Sequence, residues 1–234
     1  MSLATEVIVL VGGFGTRLQA VVADVPKPLA PVAGRPFLAY LLDAYAAAGM
    51  RRAILATGYR AEQVRAFAGT RWNGMEIAYS HEDSPLGTGG AIRQATASIN
   101  SDGAHVANGD TFLHYSPQAL ERAAVALGVP MSVALVRVDD VGRYGAVDVH
   151  DGLIHAFREK GGSGAGLVNA GSYFLAGDAL ARLPSQVTFS FEADVLFPWS
   201  AAGRVAAFAD TSGFIDIGVP EDYARAQAMF AAGA

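Results

Sequence analysis

Short apolar runs alternate with amphipathic stretches through the first half of the chain. Residues 6–11 (EVIVLV) form a β-branched run that breaks off at Gly12-Gly13, the pattern of a strand buried on both faces. Helical spacing of apolar residues over 37–48 stops at Gly49, a C-terminal cap. Strands are predicted at 53–57, 76–80 and 104–107, with helices at 62–68 and 90–97 between them. Alternation of this kind implies βαβ crossovers and a largely parallel sheet. The second half changes character: 131–137, 145–149, 153–159 and 170–175 predict strands with few helices between them, and His150-Asp151-Gly152 predicts a hairpin turn. Helix returns at 194–197 and 222–230. The loop at 161–166 (GGSGAG) is too short to divide domains, so 1–234 is expected to be a single domain. Its front half, about 1–115, carries the alternation, and an antiparallel insertion lies in the back half, about 116–234.

Composition narrows the function classes. The chain has 234 residues and no cysteine, so neither disulfides nor a cysteine zinc cluster staples it. A net charge of −5 without a basic run argues against a nucleic-acid backbone as partner. The longest weakly polar run, 123–136, contains Gly128, Pro130 and Ser132 and falls short of the ~20 apolar residues of a membrane span. Glu6 interrupts the N-terminal apolar stretch, and no basic region precedes it, so a signal peptide is not expected and a cytoplasmic protein is. Of 17 basic residues, only Lys27 and Lys160 are lysines, which marks both as positions where a compact ammonium matters.

Candidate chemistry gathers behind the first strand. Gly12-Gly13-Phe14-Gly15-Thr16-Arg17 follows it directly, where ligands of open α/β sheets bind and where glycines let backbone N–H groups reach phosphate oxygens. A dinucleotide fingerprint would need glycine where Leu18 stands, and a Walker A loop would need a lysine after glycine, which neither lysine is. What remains is a glycine loop ending in Arg17, whose planar donors suit a polyphosphate. Ten residues on, Pro26 and Pro28 fix the backbone on both sides of Lys27. Asp110 ends the fourth strand and Asp216 sits in a late strand-like segment; two carboxylates brought together at a phosphate site would hold Mg²⁺. The five histidines have no metal-ligand spacing, and no nucleophile elbow or Ser–His–Asp order is present.

GGFGTRL followed by PKPL resembles the signature of the sugar-1-phosphate nucleotidyltransferases. Further matches follow in order: Pro85 to Gly90 (PLGTGG), Asn108-Gly109-Asp110, Arg143-Tyr144-Gly145, Arg158-Glu159-Lys160, Val168 to Gly171 (VNAG) and Phe214 to Gly218 (FIDIG). The resemblance spans almost the whole chain. It implies a Rossmann-like (GT-A-like) α/β three-layer sandwich, with a mostly parallel mixed sheet and an antiparallel insertion, in one domain with a nucleotide-binding half over about 1–115 and a sugar-binding half over about 116–234. The reaction it implies takes a nucleoside triphosphate and a sugar 1-phosphate to a nucleotide-sugar and pyrophosphate. It places Leu10, Gly12, Gly13, Gly15, Thr16, Arg17, Leu86, Gly87, Thr88 and Asn108 at the nucleotide, and Gly145, Glu159, Lys160 and Asn169 at the sugar phosphate. Asp110 and Asp216 become the Mg²⁺ ligands, and Arg17, Lys27 and Asp110 the catalytic residues. In this reading Arg17 stabilises the departing pyrophosphate, Lys27 sits between the α-phosphate and its attacker, and Lys160 orients the sugar phosphate. Glu192 in Ser190 to Asp194 (SFEAD) resembles a segment near the sugar but also suits a solvated helix start, and it stays outside the core site.

Within that family the chain most resembles the D-glycero-D-manno-heptose 1-phosphate guanylyltransferases, which implies GTP as donor. Uridylyltransferases for N-acetylmuramic acid 1-phosphate share much of the pattern. Val11 stands where alanine is more usual before the glycine pair. Two other classes stay open: a glycosyltransferase of the same architecture, which would normally show Asp-x-Asp where Asn108-Gly109-Asp110 stands, and a non-catalytic nucleotide sensor, which could dispense with Lys27 or Asp216. Family members often associate, which leaves a homo-oligomer open.

Overall fold

Side chains alternate across a strand, so a strand covered on both faces must be apolar throughout. The first strand, β1 (Glu6–Leu10), follows that rule in the computed structural model, which describes residues 3–15, 18, 22 and 25–231. Val7 and Val9 enter one apolar layer with Phe37, Leu38 and Leu42, and Ile8 enters the opposite layer with Ile54, Ile92 and Val106. Each fully buried aliphatic side chain contributes about 1.5–3 kcal/mol. Helices cover both faces, giving three layers.

Along the chain β1 is followed by a tight helical turn at Lys27–Leu29, then by the hairpin β2 (Pro31–Val32) and β3 (Arg35–Pro36) and helix α1 (Phe37–Ala47). Next come β4 (Arg52–Thr57), α2 (Ala61–Ala68), β5 (Arg71–Trp72), β6 (Met75–His81), α3 (Gly87–Thr96), β7 (Gly103–Asn108) and β8 (Thr111–His114). The back half holds α4 (Pro117–Leu127), β9 (Met131–Val138), β10 (Val147–His150), β11 (Leu153–Phe157), β12 (Gly166–Ala176) and α5 (Gly177–Ala181). A π-helical turn (Glu192–Leu196), α6 (Phe197–Ala201), β13 (Val205–Phe208), β14 (Ser212–Asp216) and α7 (Pro220–Ala231) complete it.

Ten strands form one sheet in the order β10-β11-β13-β9-β12-β7-β1-β4-β6-β5. Only β5, β11 and β12 run against the other seven, so the sheet is mixed and mostly parallel. The front four, β7-β1-β4-β6, are parallel neighbours, as their alternation with helices requires. β12 joins the halves, pairing antiparallel with both β7 and β9.

The back half departs from the sequence expectation at a helix and a strand, while β14 occupies the strand-like segment expected around Asp216. An eleven-residue helix, α4, precedes β9. Ser116 caps it by accepting from the Ala119 N–H at 3.2 Å, Pro117 opens it, and Gly128 closes it in the left-handed region. Those start and stop signals stand in the sequence; its alanine-rich stripe, with only Leu120 and Ala124 as buried apolar positions beyond the first turn, weakened the periodicity. β13, whose polar neighbours hid it, pairs parallel with β9, so the insertion is not uniformly antiparallel. β14 pairs antiparallel with β8 in a separate two-stranded ladder, with Asp216 opposite Thr111.

Candidate active site

The carboxyl ends of β1 and β7 lie side by side, with the Gly109 N–H donating to the Leu10 carbonyl at 2.9 Å. A Cβ on Gly109 would stand 2.5 Å from that carbonyl, so only glycine lets β7 turn there and deliver Asp110. The β8–β14 ladder brings the second carboxylate: Asp216 pairs with Thr111, and the Ile217 N–H donates to the Asp110 carbonyl at 2.9 Å. Two aspartates 106 positions apart in sequence are thus set together by backbone pairing.

Lys27 completes the group. Its Nζ donates to Asp110 Oδ2 and lies 3.9 Å from Asp216 Oδ1. Pro28 and Leu29 beside it are buried, which anchors the turn that carries the ammonium. Gly15, at φ +60°, packs against the Lys27 stem so closely that a Cβ would meet it at 2.8 Å. The Asp216 carboxyl is raised above its ordinary range, chiefly by burial and then by the charge of Asp110, against the opposing pull of Lys27 and the Gly218 N–H, which donates at 2.7 Å. Two carboxylates in this state form a place short of positive charge. A small hard cation held by one or two carboxylates and completed by substrate phosphates fits them, and among the described residues no cluster of three or more metal-ligand side chains competes.

Lys27, Asp110 and Asp216 line a cleft of about 960 Å³ together with Gly15, Arg143, Tyr144 and Lys160. Thr16 and Arg17, expected at the nucleotide, lie outside the described residues. On one side a smaller recess of about 210 Å³ is lined by Leu10, Gly12, Gly13, Gly87, Thr88 and Glu82. Leu86 is buried beside the start of α3. Gly87 sits at φ +71° and presses on the Phe189 carbonyl, where a Cβ would come within 2.5 Å. The Thr88 hydroxyl accepts from the Phe191 N–H at 2.9 Å and donates to Glu192 at 3.0 Å. Asn108 turns toward β12, its amide 2.7 Å from where a Gly171 Cβ would be.

Glu82 is a residue that sequence reasoning missed. Its Oε2 accepts the Leu86 N–H at 3.0 Å, and its Oε1 lies 2.6 Å from where a Cβ on Gly12 would stand, so the carboxylate faces the glycine loop. The available signal was an acid directly after the end of a parallel strand, β6, where ligand groups collect.

On the other side a recess of about 560 Å³ is lined by Gly145, Glu159, Lys160 and Asn169, so the structure brings these four together. Lys160 lines this recess and the large cleft alike. Asn169 is held by a bulge in β12: its Oδ1 accepts the Gly171 N–H at 2.9 Å, and its amide donates to the Tyr173 hydroxyl at 2.9 Å. Glu192, which the sequence left outside the site, lines the recess. Its position follows from the π-helical turn and the bond to Thr88, neither of which has a sequence signature.

Comparison with known proteins places this geometry. The Nucleotidyl transferase family profile matches residues 6–232. The chain is 37% identical to the D-glycero-alpha-D-manno-heptose 1-phosphate guanylyltransferase of Aneurinibacillus thermoaerophilus, over 95% of this chain and 96% of that one. It is 34% identical to the mannose-1-phosphate guanylyltransferase of Mycobacterium tuberculosis, over 95% of this chain and 64% of that one. HddC from Yersinia pseudotuberculosis, crystallised with GMP-PN, superposes with a TM-score of 0.85 at 36% identity, covering 97% of this chain and 99% of that one. Enzymes of this kind generally depend on a divalent metal ion. No helix among the described residues is long and apolar enough to cross a membrane. A glycine loop at the end of β1, two paired carboxylates with a lysine between them and a match over nearly the full length have one common explanation: the chain belongs to the nucleotidyl transferase family and is a nucleotidyltransferase.

Proposed function

We propose that this enzyme transfers GMP from GTP to D-glycero-D-manno-heptose 1-phosphate, giving a GDP-heptose and pyrophosphate. The observation that carries the reading is the meeting of Lys27, Asp110 and Asp216 in a cleft flanked by one recess at the glycine loop and another at Glu159 and Lys160. Near full-length similarity to two heptose 1-phosphate guanylyltransferases supports the choice of acceptor.

Guanine is favoured by Glu82. An ionised carboxylate only accepts hydrogen bonds. Guanine offers adjacent N1–H and N2–H donors along one edge, whereas uracil offers a single N–H between two carbonyls, which a carboxylate would repel. With one Glu82 oxygen taken by the Leu86 N–H, the other is left for that edge. Backbone groups of Gly12, Gly13 and Gly15 would approach the phosphates, with Leu10, Leu86, Gly87, Thr88 and Asn108 enclosing the nucleoside.

The acceptor phosphate is already ionised, so no general base is needed. One of its oxygens attacks the α-phosphorus; the new O–P bond forms as the bond to the bridging oxygen of the β-phosphate breaks, and that electron pair leaves with pyrophosphate. No proton moves. Catalysis is then positioning and charge neutralisation. Asp110 and Asp216 would hold Mg²⁺, which supplies positive charge to phosphate oxygens when bound. Lys27 is carried on a rigid turn to the α-phosphate, Arg17 neutralises the leaving pyrophosphate, and Lys160 holds the acceptor phosphate. Glu159, Asn169 and the Gly145 backbone take the sugar hydroxyls. We propose that the enzyme works in the cytoplasm.

The test is pyrophosphate release with Mg²⁺ across four nucleoside triphosphates and a panel of sugar 1-phosphates. A signal with GTP and the heptose 1-phosphate, abolished in Asp110→Ala, supports the reading. A signal confined to UTP with N-acetylmuramic acid 1-phosphate would overturn both substrates and keep the chemistry.

A further inference from the structure

Arg143 lines the large cleft beside Lys27 and Lys160. The family resemblance assigned only Gly145 of the Arg143-Tyr144-Gly145 tripeptide. Its partner is unusual: Asp222, in the first turn of α7, is 2% exposed, and a carboxylate so placed is costly unless fully paired. Three donors converge on it. Arg143 Nη1 and the Tyr144 hydroxyl, at 3.4 Å, share Oδ2, while Arg225 Nη1 takes Oδ1 at 2.5 Å.

One carboxylate held between two guanidinium groups leaves one positive charge in excess. Arg225 is mostly exposed and does not line the cleft, whereas Arg143 does. Arg143 also lies over the Tyr144 ring, 5.1 Å from its centroid, which restricts the swing of its guanidinium plane. Asp222 stands six residues after Asp216, so the segment that carries a metal-binding carboxylate also fixes a cation from the connection between β9 and β10. Guanidinium groups pinned along one edge and open along another match a phosphate oxyanion.

We propose that Arg143 is a ligand for a substrate phosphoanion in the cleft and that Asp222 is its positioning residue. The anion is either the triphosphate of the donor or the phosphate of the sugar, and this inference rests on the nucleotidyl-transfer reading above. Arg143→Ala should raise KM for one of the two substrates by about 10–100-fold, with a smaller fall in kcat, and the substrate affected identifies the anion. Arg143→Lys keeps the charge without the fork and should recover part of the loss. Asp222→Asn should raise the same KM by a smaller factor and leave the other KM unchanged. Arg225→Ala removes the opposite guanidinium from the same carboxylate, and its effect should stay within about threefold.

A merely structural role for the pair predicts otherwise. Arg143→Ala and Arg225→Ala would then lower the melting temperature alike and leave both KM values unchanged, and that result overturns the proposal. Calorimetry with inorganic pyrophosphate and with mannose 1-phosphate as probes separates this inference from the function it rests on. If the wild type binds either probe and Arg143→Ala binds it at least tenfold more weakly, the proposal stands even should every turnover assay fail. Equal binding by the two, or binding of neither probe by the wild type, overturns it.

Discussion

The nucleotide side and the sugar side of the cleft are built in different ways. Around the nucleotide recess much of the wall is backbone at strand ends, with Phe14 and Glu82 beside it, and a Cβ on Gly12 or Gly87 would come within 2.6 Å of a neighbouring atom. Around the sugar recess Glu159 and Lys160 stand on an exposed segment after β11, while Asn169 is fixed in β12 and Gly145 is packed against the Arg158 carbonyl. The glycines that follow have room: at Gly161 and Gly164 an added Cβ meets nothing within 4 Å. On the proposed assignment, donor recognition should depend mainly on packed backbone and acceptor recognition mainly on the exposed Glu159 and Lys160. Substitutions on the first side should damage stability and activity together, and on the second side activity alone.

The largest effect should come where the two sides meet. Asp110→Ala removes one of the two carboxylates proposed to hold the metal and the close partner of Lys27, and kcat for pyrophosphate release should fall by about 10³-fold or more. Retention of a tenth of wild-type turnover would place the reaction elsewhere. Lys27→Ala should cost about 10²–10³-fold, and Lys27→Arg should stay well below wild type because the planar fork cannot replace a compact ammonium; full activity in the arginine variant would break that assignment.

The contrast itself is sharpened by a pair of variants. Gly87→Ala forces a left-handed backbone on alanine and drives its Cβ toward the Phe189 carbonyl, so it should cost about 2–3 kcal/mol, lower the melting temperature by about 5–10 °C and raise KM for the nucleotide. Lys160→Ala should raise KM for the sugar phosphate about 10-fold while stability stays within about 0.5 kcal/mol. If thermal melts showed the two variants equally destabilised, the division between packed and rim recognition would fail.

The smallest effect on activity belongs to the shared frame. His105 of β7 is fully buried, and burial pushes its imidazole down to about 4. Above its unfolded pKa near 6.5 the ring is neutral folded and unfolded, and its neutrality costs nothing. As pH falls from 6.5 toward 4 the unfolded chain takes up a proton that the folded chain refuses, and stability drops by up to about 3 kcal/mol. Denaturant melts of His105→Phe between pH 7 and 4.5 should show a flatter dependence than wild type, with turnover at pH 7 little changed. An unaltered slope would remove His105 from the acid response.

Much of this was legible beforehand, for reasons that vary by element. The strands at 6–10, 52–57 and 103–108 are covered on both faces and so are apolar throughout, which makes them readable one by one. The glycine loop and the Pro-Lys-Pro turn are local motifs whose function depends on backbone shape, and that shape is written in neighbouring residues. Helix α4 and strand β13 were harder. One has an alanine-rich buried stripe and the other is four residues long, so neither carries a strong period. For Glu82, Glu192 and the Arg143–Asp222 pair the sequence offered at most a motif or a strand-end position, because what each touches is set by a partner distant in sequence or by the turn it occupies.

The division follows from range. Local steric preference and the period of apolar residues reach only a few positions, and on that scale the sequence alone determined the α/β alternation, the glycine loop, the two scarce lysines and the family. Pairing β8 with β14 spans about a hundred residues, and only the folded chain sets Asp216 beside Asp110. The same holds for the burial of Asp222 beneath Arg143 and for the turn of Glu82 toward the glycine loop. Charge and exposure at those positions are decided by what surrounds them in space, and tertiary structure alone specifies that.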